Sequence, residues 1–329
     1  VVTTSVIFFL SGFFTSQYLK GDKPSKSRAQ QQKTKRDFYE SRGGGYKFIN
    51  PLLECDFYYP PPFSNTAMTE YKVREYIDKV VSEKKATEVA MYFRELNNGP
   101  WFGVNEQKHF VPASLLKLPI LIAALKMSET DNNFLKKRVR FTRIAYPNIK
   151  TFFHDPEQIK LGETYAIEEL MERMIIHSDN EARQLVAENM SEEFLQKVFS
   201  DFGFITAGNL YSDDNVSPKL FSGCFRLLYN ATYLRKDLSE KALEILSRTT
   251  FHQGIVAGIQ PGVTVAHKFG ERGLDRAGLA QLHDCGIIYL PGSPYLLCVM
   301  TRGYDLDTQT NIIKEISAMI YRDLSRGRT

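Results

Sequence analysis

The sequence predicts an α/β (α+β) protein: an antiparallel sheet flanked by N- and C-terminal helices, with an all-helical subdomain inserted between the strands. Three observations predict it. One amphipathic helix and two strand patterns lie between residues 68 and 102, five helical patterns follow one another from 167 to 247, and three short apolar strand patterns precede a last amphipathic helix. Strands drawn from both chain ends, with only helices between them, make one sheet carrying an insertion.

The elements follow in order. Residues 68–84 carry Tyr71, Val73, Tyr76, Ile77, Val80 and Val81 at spacings near three and four, which is a helix. Residues 87–95 alternate as a strand, and Asn97-Asn98-Gly99-Pro100 turns the chain into a second strand through Trp101 and Phe102. From 114 to 127 the run Leu115, Leu116, Leu118, Pro119, Ile120, Leu121, Ile122 is apolar on all faces, so this helix is expected to be buried, with a slight bend at Pro119. Helices are expected at 167–176, 181–189, 192–202, 218–228 and 239–247. Strands are expected at 263–269, 285–290 and 295–301, the last two joined by Pro291-Gly292-Ser293-Pro294. Ile312, Ile313, Ile316, Met319 and Ile320 form one stripe of a final helix at 308–324.

Composition narrows the function. With 43% hydrophobic and 24% charged residues, the chain is an ordinary globular protein with enough length for a sizeable core. The net charge of +4 is concentrated: residues 20–42 hold eight Lys or Arg against Asp22, Asp37 and Glu40, which leaves the remainder close to −1. A nucleic-acid footprint on the folded part is therefore not expected. Cys55, Cys224, Cys285 and Cys298 form no CxxC pair, and zinc-ligand spacing is absent, so neither a metal nor a cofactor is expected.

Residues 1–19 are free of charge and carry Val6-Ile7-Phe8-Phe9-Leu10 and Phe13-Phe14, about the length of one span. They read as a membrane anchor or a signal segment, and either one routes the chain to the membrane. Residues 20–67 read as a basic flexible tether and an irregular lead-in, with compact structure starting near Tyr46. Residues 68–329 are expected to form the main folded domain, its helical subdomain at about 128–255. Cys285 and Cys298 flank the proline turn symmetrically; a bridge and two reduced, buried thiols both fit, and the domain is expected not to depend on disulfides.

Three motifs carry chemistry. Ser114-Leu115-Leu116-Lys117 sets a hydroxyl and an amine one turn apart at the head of the most apolar helix, where burial lowers the amine's pKa and makes it a usable base. Ser82-Glu83-Lys84-Lys85 has the same spacing but sits on a charged helix end. Ser178-Asp179-Asn180 follows at a helix junction, and His267-Lys268-Phe269-Gly270 at a strand end. Ser114 also fits a helix N-cap, Asp179 a junction cap and Lys268 a solvated strand-end charge.

The order Ser-x-x-Lys, Ser-Asp-Asn, Lys-x-Gly resembles the motif set of class A β-lactamases and penicillin-binding serine hydrolases, over about residues 70–325. The resemblance implies Ser114 as nucleophile, Lys117 as its proton acceptor, Ser178 as proton relay and Lys268 as the charge near Ser178 and the substrate carboxylate. It implies Asn180 as a contact to Lys117 and the substrate amide, with Gly270 and Glu271 in substrate binding. The oxyanion hole would use the backbone N–H groups of Ser114 and Glu271. Two departures stand out. Phe269 replaces the Thr or Ser of the third motif, and only 39 residues separate Ser178 from Ser217-Pro218, with no Glu-x-x-x-Asn between them. Asp213 and Asp214 are the nearby carboxylates and read as a solvated loop. The implied function is acylation of Ser114 by β-lactams or the peptidoglycan stem peptides they imitate, with slow deacylation, outside the cytoplasmic membrane. A non-catalytic cell-wall peptide-binding module on the same fold is the alternative.

Overall fold

The computed structural model describes residues 40–42, 45–55, 66–97, 99–147, 151–153, 155–204 and 214–326. The apolar segment 1–19, the basic run up to residue 39, the Pro60-Pro61-Pro62 stretch and Asp213 lie outside the described residues.

Two short strands, β1 (Glu40–Arg42) and β2 (Leu52–Cys55), pair antiparallel. Helix α1 (Thr66–Ser82) leads into β3 (Glu88–Glu95) and β4 (Trp101–Val104). A 3-10 turn over Ala113–Leu116 opens α2 (Lys117–Ser128). A ribbon of three-residue strands, β5 (Arg138–Arg140) and β6 (Thr164–Ala166), precedes five helices: α3 (Ile167–Ile176), α4 (Asn180–Glu188), α5 (Glu192–Asp201), α6 (Pro218–Tyr229) and α7 (Lys236–Leu246). The chain then returns as β7 (Val265–Arg272), β8 (Ala280–Ile288) and β9 (Tyr295–Gly303) and ends in α8 (Leu306–Arg326). The main sheet has the antiparallel order β4-β3-β9-β8-β7, so both chain ends supply it and β7 is an edge. This is the α+β arrangement expected, with helices inserted between β4 and β7.

Both faces of the sheet are covered, which explains why its strands read as apolar runs. Val89, Met91 and Phe93 of β3 and Leu297 and Val299 of β9 pack with α1 and α8 in one core. Ala90, Tyr92, Leu296, Cys298 and Met300 pack with the helical part in the other. Helix α2 lies inside that second core, with every residue from Leu118 to Leu125 buried. Pro119 is the third residue of the α-helix proper, where a missing N–H costs no intrahelical bond.

Residues 47–51 are docked: the Glu240 carboxylate accepts N–H groups from Lys47, Phe48 and Ile49, the Tyr289 hydroxyl donates to the Phe48 carbonyl, and Phe48 and Ile49 enter the core. These residues thus pack against the body ahead of α1. Cys285 and Cys298, directly opposed on β8 and β9, form a disulfide with Cα atoms 3.9 Å apart. The symmetric placement about the turn brings them together, and a bridge forms in a domain expected not to depend on one.

Candidate active site

Ser114 sits on the 3-10 turn, where residues i and i+3 eclipse, so Lys117 lies directly over it. The Lys117 Nζ is 3.0 Å from Ser114 Oγ, 2.5 Å from the Ser178 carbonyl oxygen and 3.0 Å from Ser178 Oγ. Only 1% of Lys117 is exposed. Asn180, expected to reach the amine, instead opens α4 on the cavity wall, and the amine's bonds go to Ser114 and Ser178.

Asp179 explains why Ser178 is there. Its buried carboxylate accepts the N–H groups of Glu181 and Ala182, capping α4, and that of Ile159 from a neighbouring loop. Such a cap is worth about 1 kcal/mol. It pins the junction so that Ser178, at φ 52°, turns both its carbonyl and hydroxyl toward Lys117. Ala113, just before Ser114, is also left-handed at φ 49°. Each such residue costs on the order of 1–3 kcal/mol, and strain of this kind gathers at functional sites. Asp179 is thus a cap, as its alternative reading held, and the cap serves the site.

Lys268 closes the arrangement from the sheet edge. It is 0% exposed, not a solvated strand-end charge, and its Nζ donates to Ser178 Oγ at 3.0 Å and to the Phe269 carbonyl at 3.1 Å. Ser178 Oγ therefore stands between two amines. Gly270 lets the strand meet the nucleophile's turn: a Cβ there would lie 2.9 Å from the Pro112 carbonyl oxygen and 3.0 Å from the Leu115 nitrogen. Direction along β7 follows from its partners. The carbonyls of His267 and Phe269 accept from Thr249 and Lys268, outside the sheet, so by alternation the N–H of Glu271 also points into the cleft.

Burial lowers the pKa of Lys117 well below the usual lysine range, and the cations Lys268 and Arg183 push it further down against Asp179 and Glu271. Burial also lowers Lys268, to about 7, opposed by the carboxylates of Asp284 and Glu271. The Glu271 carboxyl is raised by its own burial, offset by N–H groups from Phe152 and Phe153 and by the two lysines. A neutral Lys117 has two N–H groups for Ser178 and a lone pair for the Ser114 proton.

Ser114, Lys117, Asn180 and Glu271 line one cavity of about 900 Å³. A shallower groove of about 460 Å³ between α1 and α8 carries Lys72, Glu75, Lys79 and Arg322 but no motif residue. The motif-lined cavity also has walls that the motifs did not announce: Tyr146, Arg183, Glu188 and Glu192. Arg183 bonds the Tyr146 hydroxyl and lies over its ring at 5.1 Å. Arg183 and Gln184 follow Asn180 at i+3 and i+4, a spacing from which their common face could have been drawn. The decoy Ser82 bonds the Lys79 carbonyl, and Lys85 pairs with Glu83 at the surface.

A model of the Beta-lactamase enzyme family matches residues 72–324. The chain belongs to that family. It is a serine hydrolase of β-lactamase type. Two enzymes of Pseudomonas aeruginosa are similar to it. Beta-lactamase VEB-1 is 24% identical over 267 residues, 76% of this chain and 87% of that enzyme; Extended-spectrum beta-lactamase PER-1 is 24% identical over 274 residues, 76% and 86%. The solved structure of PBP-A covers 81% of this chain and 99% of its own, with a TM-score of 0.67 at 24% identity. TLA-1 extended-spectrum β-lactamase covers 78% and 99%, with a TM-score of 0.65 at 20% identity.

Phe269 is the family member's clearest departure. It is buried, stacked on Phe251 with centroids 4.2 Å apart, with Phe153 edge-on at 6.0 Å. The side chain that replaces a hydroxyl here faces a core, not the cavity. Asp214, the described one of the two loop carboxylates, pairs with Arg302, which also holds Glu88.

Proposed function

We propose that Ser114 is acylated by β-lactams and by the D-alanyl-D-alanine cell-wall peptides they imitate, and that the acyl-enzyme turns over slowly. Neutral Lys117 takes the Ser114 proton as Oγ attacks the carbonyl carbon. The N–H groups of Ser114 and Glu271 hold the oxyanion. As the C–N bond breaks, Ser178 protonates the leaving nitrogen and recovers a proton from Lys117, 3.0 Å from its hydroxyl. Lys268 supplies positive charge beside Ser178 for the substrate carboxylate.

The observation that carries this reading is Lys117, buried and in hydrogen-bond contact with both serine hydroxyls. A PBP-A variant, similar in fold, has been solved as an acyl-enzyme complex with penicillin G. Slow turnover rests on the Asp214–Arg302 pair and on the missing Glu-x-x-x-Asn. The domain works outside the cytoplasmic membrane, with residues 1–19 as anchor or signal, 20–67 as basic tether and irregular lead-in, and a helical subdomain at about 128–255. The disulfide fits an oxidising compartment.

Labelled penicillin tests the reading. A covalent adduct on Ser114 that forms in a burst and decays slowly is the expected result. Absence of any adduct defeats it, and rapid steady-state hydrolysis defeats its second half.

A further inference from the structure

Glu271 is named above for its backbone, yet its side chain is equally engaged. Its N–H points into the cleft one residue before the end of edge strand β7. An N–H so near the free end of an edge strand is poorly held by the sheet alone, because strand ends open first. An oxyanion donor cannot tolerate that freedom: its worth lies in being fixed before charge develops.

The Glu271 carboxylate reaches across the cleft mouth to residues 151–153. It accepts the N–H of Phe152 at 3.0 Å and that of Phe153 at 3.3 and 3.4 Å. Thr151, at the start of this segment, lines the same cavity as Ser114. Phe153 then wedges edge-on against Phe251 at 4.8 Å and against Phe269. The residue that replaced the third-motif hydroxyl is thus part of the anchor for the loop that Glu271 grips. On the other flank Gly270 lies against the nucleophile's turn.

We propose that Glu271 is a positioning residue: its carboxylate latches β7 to the 151–153 loop and thereby fixes its own N–H as the second oxyanion donor. The latch rests on the acyl-transfer reading, and it makes one residue both donor and strut. A displacement of about 1 Å in such a group costs on the order of a hundredfold in rate.

The test uses the full chain and labelled penicillin, with burst acylation, pre-covalent affinity and amide hydrogen exchange measured together. Glu271→Ala is expected to slow acylation by about ten- to a hundredfold, with pre-covalent affinity changed less than about threefold. Phe152 and Phe153 amides should lose protection while α2 and β9 keep theirs. Glu271→Gln keeps an acceptor oxygen and removes the charge, so it should retain most of the rate. Equal loss in Gln and Ala variants would assign the effect to charge and overturn the latch, as would wild-type acylation by the Ala variant. If Glu271→Ala loses protection throughout, the Gln variant alone decides. Should wild type fail to acylate, the catalytic reading falls, and unchanged protection at 152 and 153 in Glu271→Ala would overturn the latch separately.

Discussion

The two walls of the cleft present the same side chain in different company. On the helical wall Lys117 touches two serine hydroxyls and a carbonyl, and its strongest charged neighbours are the cations Lys268 and Arg183. On the strand wall Lys268 is as buried, yet the charges that shift it are the carboxylates of Asp284 and Glu271. Burial disfavours the charged form of both. The sign of the neighbours then separates them, toward a neutral base at Lys117 and a retained charge at Lys268. A buried lysine's chemistry is set by what surrounds it, which is why a spacing motif alone says little. The helical wall keeps every motif residue, while the strand wall has changed Thr or Ser to Phe269.

The largest effect comes from breaking the helical wall. Ser114→Ala should remove covalent penicillin labelling by several orders of magnitude, and Lys117→Ala should do nearly the same. The double variant should be little worse than either single one, since nucleophile and base act as a unit. Ser82→Ala should label as wild type, because its hydroxyl bonds the Lys79 carbonyl on an exposed helix end. Equal labelling of Ser114→Ala and wild type would remove the basis for treating the two walls as a catalytic pair.

The strand wall should break differently, in stability before chemistry. Phe269 fills a core position between Phe251 and Phe153. Phe269→Ala should cost about 3–5 kcal/mol of unfolding free energy, the range for emptying a buried aromatic site. Urea denaturation measures it; a loss below about 1 kcal/mol would show that the ring is not a packing element.

The strand wall was also the less legible one in the sequence. Ser114, Lys117, Ser178 and Lys268 could be read because proton transfer restricts residue type and the motif order restricts position. The side-chain role of Glu271 could not: its partners are main-chain N–H groups 118 and 119 residues earlier, and any residue type supplies those. Arg183, Tyr146, Glu188 and Glu192 look in sequence like ordinary polar helix and loop residues. The long helices were readable within a few residues because burying one face imposes a period. The β5–β6 ribbon was missed because three residues are too few to show alternation. The placement of Cys285 and Cys298 showed that they meet, but their oxidation state depends on compartment and is not written in a register.

A pH profile sharpens the contrast between the lysines. Lys117 must be neutral to accept a proton, and burial with two nearby cations lowers its pKa in that direction. Lys268 must be charged, and with a pKa of about 7 it loses its proton as pH rises through that value. Acylation should therefore fall on the alkaline side, by about tenfold per pH unit once well above 7. Asp284→Asn removes a carboxylate that raises the Lys268 pKa, so this limb should move to lower pH. Burst rates between pH 5 and 9 measure both. A profile flat to pH 9, or a limb displaced upward in Asp284→Asn, would contradict a charged Lys268.

The smallest effect is expected at Asp214, and it tests whether either wall hides a replacement for the missing glutamate. A deacylating base must hold its carboxylate free to polarise water near the acyl carbon. Asp214 is instead exposed and paired with Arg302, whose other partner is Glu88 on β3. An exposed pair of this kind is worth about 0–1 kcal/mol, so Asp214→Ala should shift stability little. The decay of the penicillin adduct should stay within about twofold of wild type, since no step is assigned to this carboxylate. Mass spectrometry of the adduct over time measures the decay directly. A tenfold or greater slowing in Asp214→Ala, with acylation unchanged, would place the water-activating group on this loop and end the reading of slow turnover.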